Sequence, residues 1–280
     1  MRQRRYTSDL TDEQWAILGP LLPWPVWLDG GGGRPEEYCR RQVIDAIFYV
    51  DDNGCKWRNL PADFPPWRTV HAAFTRWWVS GDVLAVHNDL RDLVRAAEGR
   101  DPDPTAAIID SQSVRAAETV GAGSRGFDAG KKINGRTRHV VVDTTGLLLV
   151  VAVTAASVQD RDGARLVLQR IRQLFHTIAL VWADGAYAGK LVVWAKQALR
   201  ITIEIVKRGD DTSGFVVLPR RWVVERSLSW LSGSRRLARD YERLPVHHEA
   251  LVHWSMILLM TRRLARAPRH RATVNSPVAC

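Results

Sequence analysis

Two aspartates stand at the ends of predicted buried strands. Asp110 closes the apolar run Ala106–Asp110, and Asp184 closes the run Ile178–Asp184. A carboxylate at the end of an apolar strand loses hydration free energy unless it is paired, protonated or bound to a metal. If the two strands are neighbours, the carboxylates repel each other, and a divalent cation would relieve that repulsion. The alternative for each aspartate alone is that it caps the turn after its strand.

A third acid, Glu225, lies in a long helix predicted after Pro219. A rotation of about 100° per residue places Glu225 on a polar stripe of that helix, opposite an apolar one. The alternative is a surface ion pair between Glu225 and Arg221, four residues apart, which contributes only about 0.3–0.5 kcal/mol. The polar stripe consists of Arg221, Glu225, Ser229, Ser232 and Arg236.

Three carboxylates brought together have a defined chemistry. Mg²⁺ prefers octahedral oxygen ligation, with a few carboxylates and the remainder supplied by water or phosphate. Two such ions about 3.5–4 Å apart activate a water or a 3′-hydroxyl and stabilise the leaving oxygen in an in-line phosphoryl displacement. The three acids therefore predict a phosphoryl-transfer site with two Mg²⁺ ions, or Mn²⁺ in their place.

The charge of the chain points to a polyanionic partner. The 280 residues carry a formal charge of +10, and since only six of the 40 basic residues are lysine, 34 are arginine. The planar guanidinium group pairs with phosphate through two hydrogen bonds, so clustered arginines indicate nucleic-acid binding. The alternative is a GC-rich coding sequence, which favours arginine codons.

The pattern of the chain changes near Pro104, which predicts two domains. Residues 1–100 read as helices. Residues 101–265 give three strands with hairpin character, then helix, strand, helix, strand and helix, which predicts a mixed α/β fold. Residues 266–280 are expected to be a disordered basic tail. The predicted N-terminal helices begin with a Thr11–Gln14 capping box and continue with Glu36–Val50, Trp67–Val79 and Val83–Ala97.

Seven segments of residues 108–245 carry long sequence motifs: IIDSQSVRAAE, RGFDAGKKINGRTRHVVVDTTGLLL, ASVQDRDGA, WADGAYAGKL, EIVKRGDD, GFVVLPRRWVVERSLSWL and RRLARDYERLP. These segments resemble the catalytic domain of bacterial insertion-sequence transposases of the IS-five type. Two segments near the N-terminus, YTSDLTDEQWAILGPLLP and GCKWRNLPADFPPW, resemble the leader region of that family. The resemblance therefore implies that the helical residues 1–100 are the DNA-binding region.

The resemblance implies a ribonuclease-H-like mixed sheet with flanking helices and an Asp-Asp-Glu triad on Asp110, Asp184 and Glu225. It also implies Mg²⁺-dependent cleavage of DNA strands at insertion-sequence ends, followed by strand transfer into target DNA. The expected partners are the terminal inverted repeats, the target DNA and a second copy of the chain. Two alternatives stay open: a non-enzymatic DNA-binding protein derived from a transposase, and a ribonuclease-H-like nuclease without transposition.

Basic residues in two regions are predicted to contact DNA. The wider superfamily has a tyrosine, an arginine and a late basic residue around the glutamate; here Arg221 fits the arginine, whereas Leu218 and Ser232 depart from the pattern. Arg226, Arg235 or Arg236 are candidates to replace the late basic residue. A predicted DNA-facing hairpin carries Arg125, Lys131, Lys132, Arg136 and Arg138.

Several other functions are disfavoured by the sequence. Gly121, Gly123 and Gly126 match a dinucleotide-binding spacing, but no strand leads into them and no helix follows. Three cysteines without a CxxC pair argue against a disulfide scaffold or a zinc ribbon. With no signal peptide or membrane span detected, we expect a cytoplasmic, nucleoid-associated protein without a membrane partner.

The remaining expectations concern residues with a structural role. Asp143 is predicted to shape a turn, and Asp160 to cap a helix. Trp222, Trp230 and Trp254 are predicted to lie in the core. Core packing is also favoured for three more tryptophans, with stacking on bases as the alternative: Trp67, Trp77 and Trp78.

Overall fold

The computed structural model of the chain describes residues 3–23, 35–206 and 219–266. By their contacts the residues divide into two compact units. Among the described residues, the first unit takes in 3–23, 35–100, 234–236 and 253–266, and the second takes in 101–206, 219–233 and 237–252. The division of function between two domains stays a prediction.

The first unit is helical, as predicted, and its first helix begins at the predicted capping box. The Gln14 N–H donates to Thr11 Oγ1 at 3.2 Å, and the Thr11 N–H donates to Gln14 Oε1 at 3.0 Å. Both groups would otherwise lack a partner at the start of the helix. The helices are α1 (Asp12–Leu18), α2 (Arg40–Asn53), α3 (Trp67–Val79) and α4 (Asp82–Ala97).

The last helix of the chain contributes to the core of the first unit. Trp254, which is buried as predicted, packs edge-on against Phe48 of α2 and lies beside Trp77 of α3. Residues 253–266 therefore pack with the first unit, whereas the sequence grouped them with the catalytic domain. Among the described residues, no helix is both long and apolar enough to cross a membrane. Residues 267–280, the predicted tail, lie outside the described residues.

The second unit contains the predicted mixed α/β arrangement. Its strands follow the order β2-β3-β1-β5-β6, and β4 pairs with β3. The pairs β1–β3, β2–β3 and β3–β4 are antiparallel, whereas β5 is parallel to both β1 and β6. The strands are β1 (Ala106–Arg115), β2 (Gly126–Asp128), β3 (Ile133–Asp143), β4 (Leu148–Ala155), β5 (Leu180–Ala183) and β6 (Thr202–Ile205).

Two helices cover one face of the sheet. Val167 and Ile171 of α5 are fully buried against Ile109 of β1 and Val141 of β3, and Ala195 of α6 belongs to the same core. Because side chains alternate along a strand, Asp110 points away from this core. The remaining helices are α5 (Asp160–Leu174), α6 (Lys190–Leu199), α7 (Pro219–Gly233), α8 (Arg235–Ala238) and α9 (Pro245–Arg266).

Asp143 shapes the turn between β3 and β4, as predicted. Its Oδ1 accepts hydrogen bonds from the Thr145 N–H at 2.8 Å, the Thr145 hydroxyl at 2.7 Å and the Leu147 N–H at 2.9 Å. A buried aspartate that accepts this many local donors stabilises the turn conformation.

The long helix predicted after Pro219 is interrupted. Helix α7 ends at Gly233, and α8 begins two residues later at Arg235. Ser234, between the two helices, is not helical, and its hydroxyl donates to Asp51 Oδ2 at 2.7 Å. Glycine disfavours the helix interior by about 1 kcal/mol, so a helix readily stops there. Arg236 is therefore not part of the polar stripe that contains Arg221 and Glu225, and the prediction of one continuous helix was wrong.

Candidate active site

Asp110 and Asp184 meet at the boundary between β1 and β5. In the parallel pairing of these strands, Ile108 lies opposite Trp182. Each aspartate follows two residues later in its own strand direction, so the two carboxylates lie at the same level and on the same face of the sheet. One expectation needs correction: Asp110 does not end its strand, because β1 continues to Arg115 in antiparallel pairing with β3.

The surroundings of Asp110 oppose its ionised form. Burial is the main cause that raises the pKa of this carboxyl from 3.8 to about 6, and the negative charge of Asp184 raises it further. The Ser111 N–H, which donates to Asp110 Oδ1 at 2.7 Å, lowers the pKa, as do Arg221 and Lys131. The carboxyl group of Asp110 is thus partly removed from water and lies beside the carboxylate of Asp184. This arrangement is stable only when a cation or a proton offsets the negative charge.

Asp184 has a different role for each of its oxygens. Oδ1 accepts a hydrogen bond from the Ala186 N–H at 2.8 Å, so it caps the short turn Gly185–Tyr187. Oδ2 lies 3.8 Å from Arg221 Nη2. The turn-capping alternative is therefore true for one oxygen, while the other oxygen faces α7.

Glu225 is joined to the aspartates through Arg221. Helix α7 lies against β1, β3 and β5. The Nη2 atom of Arg221 lies 3.6 Å from Glu225 Oε1 as well as 3.8 Å from Asp184 Oδ2. The i,i+4 ion pair considered from the sequence is present, and the same guanidinium also reaches the strand aspartate. Glu225 itself is well exposed to solvent.

The donor chemistry fits a hard divalent cation at the two aspartates. Mg²⁺ is usually bound through one or two carboxylates together with water and substrate phosphate, and a neighbouring pair of carboxylates, Asp110 and Asp184, supplies that number. Within the described ranges, no three His, Cys, Asp or Glu side chains form a metal-binding group. Glu225 stands apart from the pair because Arg221 lies between it and Asp184.

Lys131 brings a positive charge to the edge of this site. Its Nζ donates to Ser111 Oγ at 3.0 Å and lies 3.8 Å from Asp128 Oδ2 and 3.9 Å from Asp160 Oδ2. Ser111 follows Asp110 directly along β1, and its hydroxyl donates to Asp160 Oδ1 at 2.7 Å. Asp160 therefore does more than begin α5: it holds Ser111 and Lys131 together.

Comparison with known families shows which family the chain belongs to. A family model described as a transposase DDE domain matches residues 101–260, which is more than half of the chain. The chain belongs to the DDE transposase family. A second model, described as a putative transposase of the IS4/5 family, matches residues 10–87. The mixed sheet of the second unit is thus the ribonuclease-H-like fold expected from the sequence.

Individual relatives agree with this membership. A putative transposase for insertion sequence element IS402 of Burkholderia cepacia is 29% identical over 140 residues, covering 48% of this chain and 66% of the relative. An uncharacterized 16.2 kDa protein of insertion element IS402 from the same organism is 30% identical over 122 residues, covering 41% and 77%. Protein y4sN of Sinorhizobium fredii (strain NBRC 101917 / NGR234), also uncharacterized, is 29% identical over 124 residues, covering 44% and 87%. No solved structure matches the chain.

Two of the arginines predicted to contact DNA are inside this transposase. Arg136 and Arg138 lie in β3 and are fully buried. Arg136 Nη1 donates to Asp240 Oδ2 at 2.9 Å and to the Glu242 carbonyl at 2.8 Å, and Arg138 donates to Gln112. Both guanidinium groups are enclosed by protein and do not face solvent, so the prediction that Arg136 and Arg138 contact DNA disagrees with their burial.

The basic residues near α7 also differ in their accessibility. Arg236 is buried and donates to the Cys55 carbonyl at 2.8 Å, so its burial also disagrees with the predicted DNA contact. Arg226 is half-buried: it donates to the Thr145 carbonyl at 2.8 Å and lies over the Trp230 ring. Arg235 is exposed. The spacing of residues along a helix does not show whether an arginine faces solvent or donates a hydrogen bond to a backbone carbonyl.

The other predicted contacts remain accessible. Lys131 and Lys132 are exposed and Arg125 is half-buried, in the hairpin that includes β2 and the start of β3. Their contact with DNA stays a prediction. Trp222, predicted to be core, is 46% exposed on α7 instead. Leu218 lies outside the described residues.

Tyr187 lies beside the candidate site and was not predicted from the sequence. Its side chain is buried, and burial together with the charges of Asp110 and Asp160 raises the pKa of its phenol well above the usual value. The phenol therefore stays neutral next to the aspartates. One feature of the sequence could have predicted its place near the site: Tyr187 follows Asp184 by three residues, at the end of the turn after an apolar strand.

Proposed function

We propose that the chain is a DNA transposase that cuts DNA strands at insertion-sequence ends and joins the released ends to target DNA. Asp110, Asp184 and Glu225 are the proposed catalytic acids. The observation that carries the proposal is the pairing of Asp110 with Asp184 at one level of the sheet, where burial and mutual repulsion oppose ionisation of Asp110. Such a pair lowers the free energy of unfolding, and groups with a shifted pKa of this kind are expected at functional sites.

The proposed cofactor is Mg²⁺, as two ions, or Mn²⁺ in its place. When bound, it would activate a water or 3′-hydroxyl and stabilise the leaving oxygen of the phosphodiester. Asp110 and Asp184 would hold it, and Glu225 would complete the set once Arg221 no longer lies between the two acids. Asp110 gives up its proton more readily when a cation neutralises the pair.

The remaining charged residues would position the DNA. Arg221 presents a planar guanidinium at the site, and this geometry suits a phosphate oxygen better than a single carboxylate 3.8 Å away. Lys131, Lys132, Arg125 and Arg235 supply further accessible or partly accessible positive charge. The proposed partners are double-stranded DNA with terminal inverted repeats, the target DNA, and a second copy of the chain, since two ends must be joined.

The triad is tested by strand cleavage and joining on supercoiled DNA that carries the element's ends. Asp110→Asn, Asp184→Asn and Glu225→Gln should each lower the rate by at least about a thousandfold, because each removes a charge that acts on the transition state. Asp103→Asn is the matched control, since Asp103 is an exposed aspartate of the same unit. Nicking at the wild-type rate by any of the three variants would refute the assignment.

One observation favours a second candidate, a DNA-binding protein without catalysis. Arg221 already neutralises Asp184 and Glu225, which is the arrangement expected if these acids serve only as ion-pair partners. The same experiment separates the two functions: the wild-type chain would then retain end-DNA binding and give no Mg²⁺-dependent product. Cleavage without joined products would instead indicate a nuclease.

A further inference from the structure

An open cavity of about 490 Å³ lies in the second unit, next to the candidate active site. Its volume falls within the range of about 300–1,000 Å³ that is usual for ligand pockets. Residues of the β2–β3 turn, of the segment after β4 and of the start of α5 form its walls. The residues that line the cavity include Phe127, Asp128, Lys131, Asp160, Arg161 and Ala186.

The walls of the cavity are held in place by close contacts. A Cβ at Gly126 would overlap Ser157, so the glycine allows β2 to run directly against the segment after β4. Asp128 Oδ1 accepts the Lys131 N–H at 2.9 Å, and Oδ2 accepts the Ser113 hydroxyl at 2.7 Å. The turn is thereby fixed on both sides of Phe127, and the cavity is formed before any ligand binds.

Phe127 exposes its ring at the cavity. It is 58% exposed although it sits in a strand. A single exposed aromatic residue needs no explanation by itself, but two cations line the same cavity, Lys131 and Arg161. Asp128 and Asp160 also line it and lie near Lys131, whereas Arg161 is exposed. An aromatic ring combined with positive charge is the chemistry that binds single-stranded nucleic acid, because the ring stacks on a base and the cation pairs with the phosphate.

Two residues that line the cavity connect it to the two strand aspartates. Ala186 lines it, and the Ala186 N–H is the donor that caps Asp184. Lys131 lines it as well, and its Nζ donates to Ser111, the residue after Asp110. A DNA strand whose phosphate reacts at the aspartates would therefore place a neighbouring nucleotide at this cavity.

We propose that the cavity binds one unpaired nucleotide of the DNA strand, next to the reacting phosphate. The base stacks on Phe127, and the phosphate pairs with Lys131 and Arg161. This inference rests on the proposed function and deepens it, since it identifies a locally unpaired strand as the form of substrate that the site accepts. A base within an intact duplex is stacked on both faces and is not available to Phe127.

The test measures DNA binding by the full chain in EDTA, where no cleavage occurs. The probes are fluorescein-labelled oligothymidylate and the duplex that it forms with oligoadenylate, followed by fluorescence anisotropy. Phe127→Ala should weaken binding of oligothymidylate about tenfold, the usual loss for one stacked base, and change duplex binding less than twofold. Phe127→Tyr, which keeps the ring, should bind oligothymidylate like the wild type.

Leu174→Ala is the matched control. Leu174 is 60% exposed in the same unit and does not line the cavity, so this variant should bind both probes like the wild type. Oligothymidylate binding by Phe127→Ala at the wild-type level, or an equal loss on the duplex, would overturn the proposal. The cleavage assay with Asp110→Asn tests the proposed function separately. If that assay refuted the triad, the effect of Phe127→Ala on oligothymidylate binding would still test the cavity.

Discussion

At the scale of single residues, the carboxyl group of Asp110 couples the stability of the chain to pH. The pKa of about 6 in the folded chain lies above the ordinary value of 3.8. Between these values the folded chain keeps a proton that the unfolded chain has released. The free energy of unfolding therefore falls as the pH rises from about 4 to about 6, and the full penalty is present above pH 6.

Removal of this carboxylate should stabilise the metal-free chain. Asp110→Asn is expected to raise the free energy of unfolding by ~2 kcal/mol at neutral pH in EDTA, because the buried negative charge is gone. The gain should shrink as the pH falls from 6 towards 4 and disappear at pH values below 3.8, where the wild-type carboxyl is protonated in both the folded and the unfolded chain. Urea unfolding of both proteins across this pH range measures the difference.

The design of this comparison isolates Asp110 from other buried acids. Burial also raises the pKa of Asp51, to about 7, and so gives the same direction of pH dependence, but this contribution is present in both proteins. Addition of Mg²⁺ should stabilise the wild type and leave Asp110→Asn nearly unchanged, since a ligand stabilises only the protein that binds it. A variant less stable than wild type at neutral pH in EDTA would contradict the assigned environment.

At the scale of secondary-structure elements, the sequence predicted the order and type of the described elements better than their lengths. The α5 and β3–β4 predictions depended on local patterns, an apolar helical stripe and the Asp143 turn, and both were confirmed. Strand β1 extends five residues beyond Asp110 because its pairing partner β3 continues alongside it. A partner distant in sequence leaves no local signal.

The buried arginines illustrate the same limit. Arg136 lies between Gly135 and Thr137, which give no sign of burial, but its partner Asp240 is 104 residues away and the pair is completely buried. From the sequence alone, such an arginine is predicted to lie at the surface, because arginine is rarely buried without a partner. The two strand aspartates could be predicted as candidate site residues because a carboxylate that closes or interrupts an apolar strand is visible in the local sequence.

The contact between α5 and the sheet depends on a glycine in the helix. A Cβ at Gly163 would overlap the imidazole of His139 in β3. Alanine is favoured over glycine in a helix by about 1 kcal/mol, whereas overpacking costs about 1–3 kcal/mol. The overlap involves a ring that is itself buried, so Gly163→Ala should lower the free energy of unfolding by about 2 kcal/mol.

A double-mutant cycle with His139→Ala separates this steric effect from a general effect of the substitution. In the His139→Ala background the ring is absent, so Gly163→Ala should become neutral or stabilising. Thermal unfolding of the four proteins gives the coupling free energy. Equal destabilisation in both backgrounds would show that the imidazole is not what limits the approach of α5.

At the scale of the whole molecule, the net charge of +10 predicts how DNA binding depends on salt. Each phosphate that is neutralised releases condensed counterions, so the logarithm of the affinity falls with the logarithm of salt concentration by about 0.9 per contact. With about six contacts, affinity for duplex DNA of random sequence should drop about a thousandfold between 50 and 200 mM salt. Fluorescence anisotropy over a salt series measures the slope.

Accessible and buried basic residues should contribute differently to that slope. The double variant Lys131→Gln and Lys132→Gln removes two exposed charges and should reduce the slope by about 1–2. Arg138→Gln removes a charge that is fully buried, so it should leave the slope unchanged even where it lowers stability. If Arg138→Gln reduced the slope of a folded protein as much as the lysine variant does, β3 would have to open on DNA, and the assignment of its arginines to the interior would not describe the bound state.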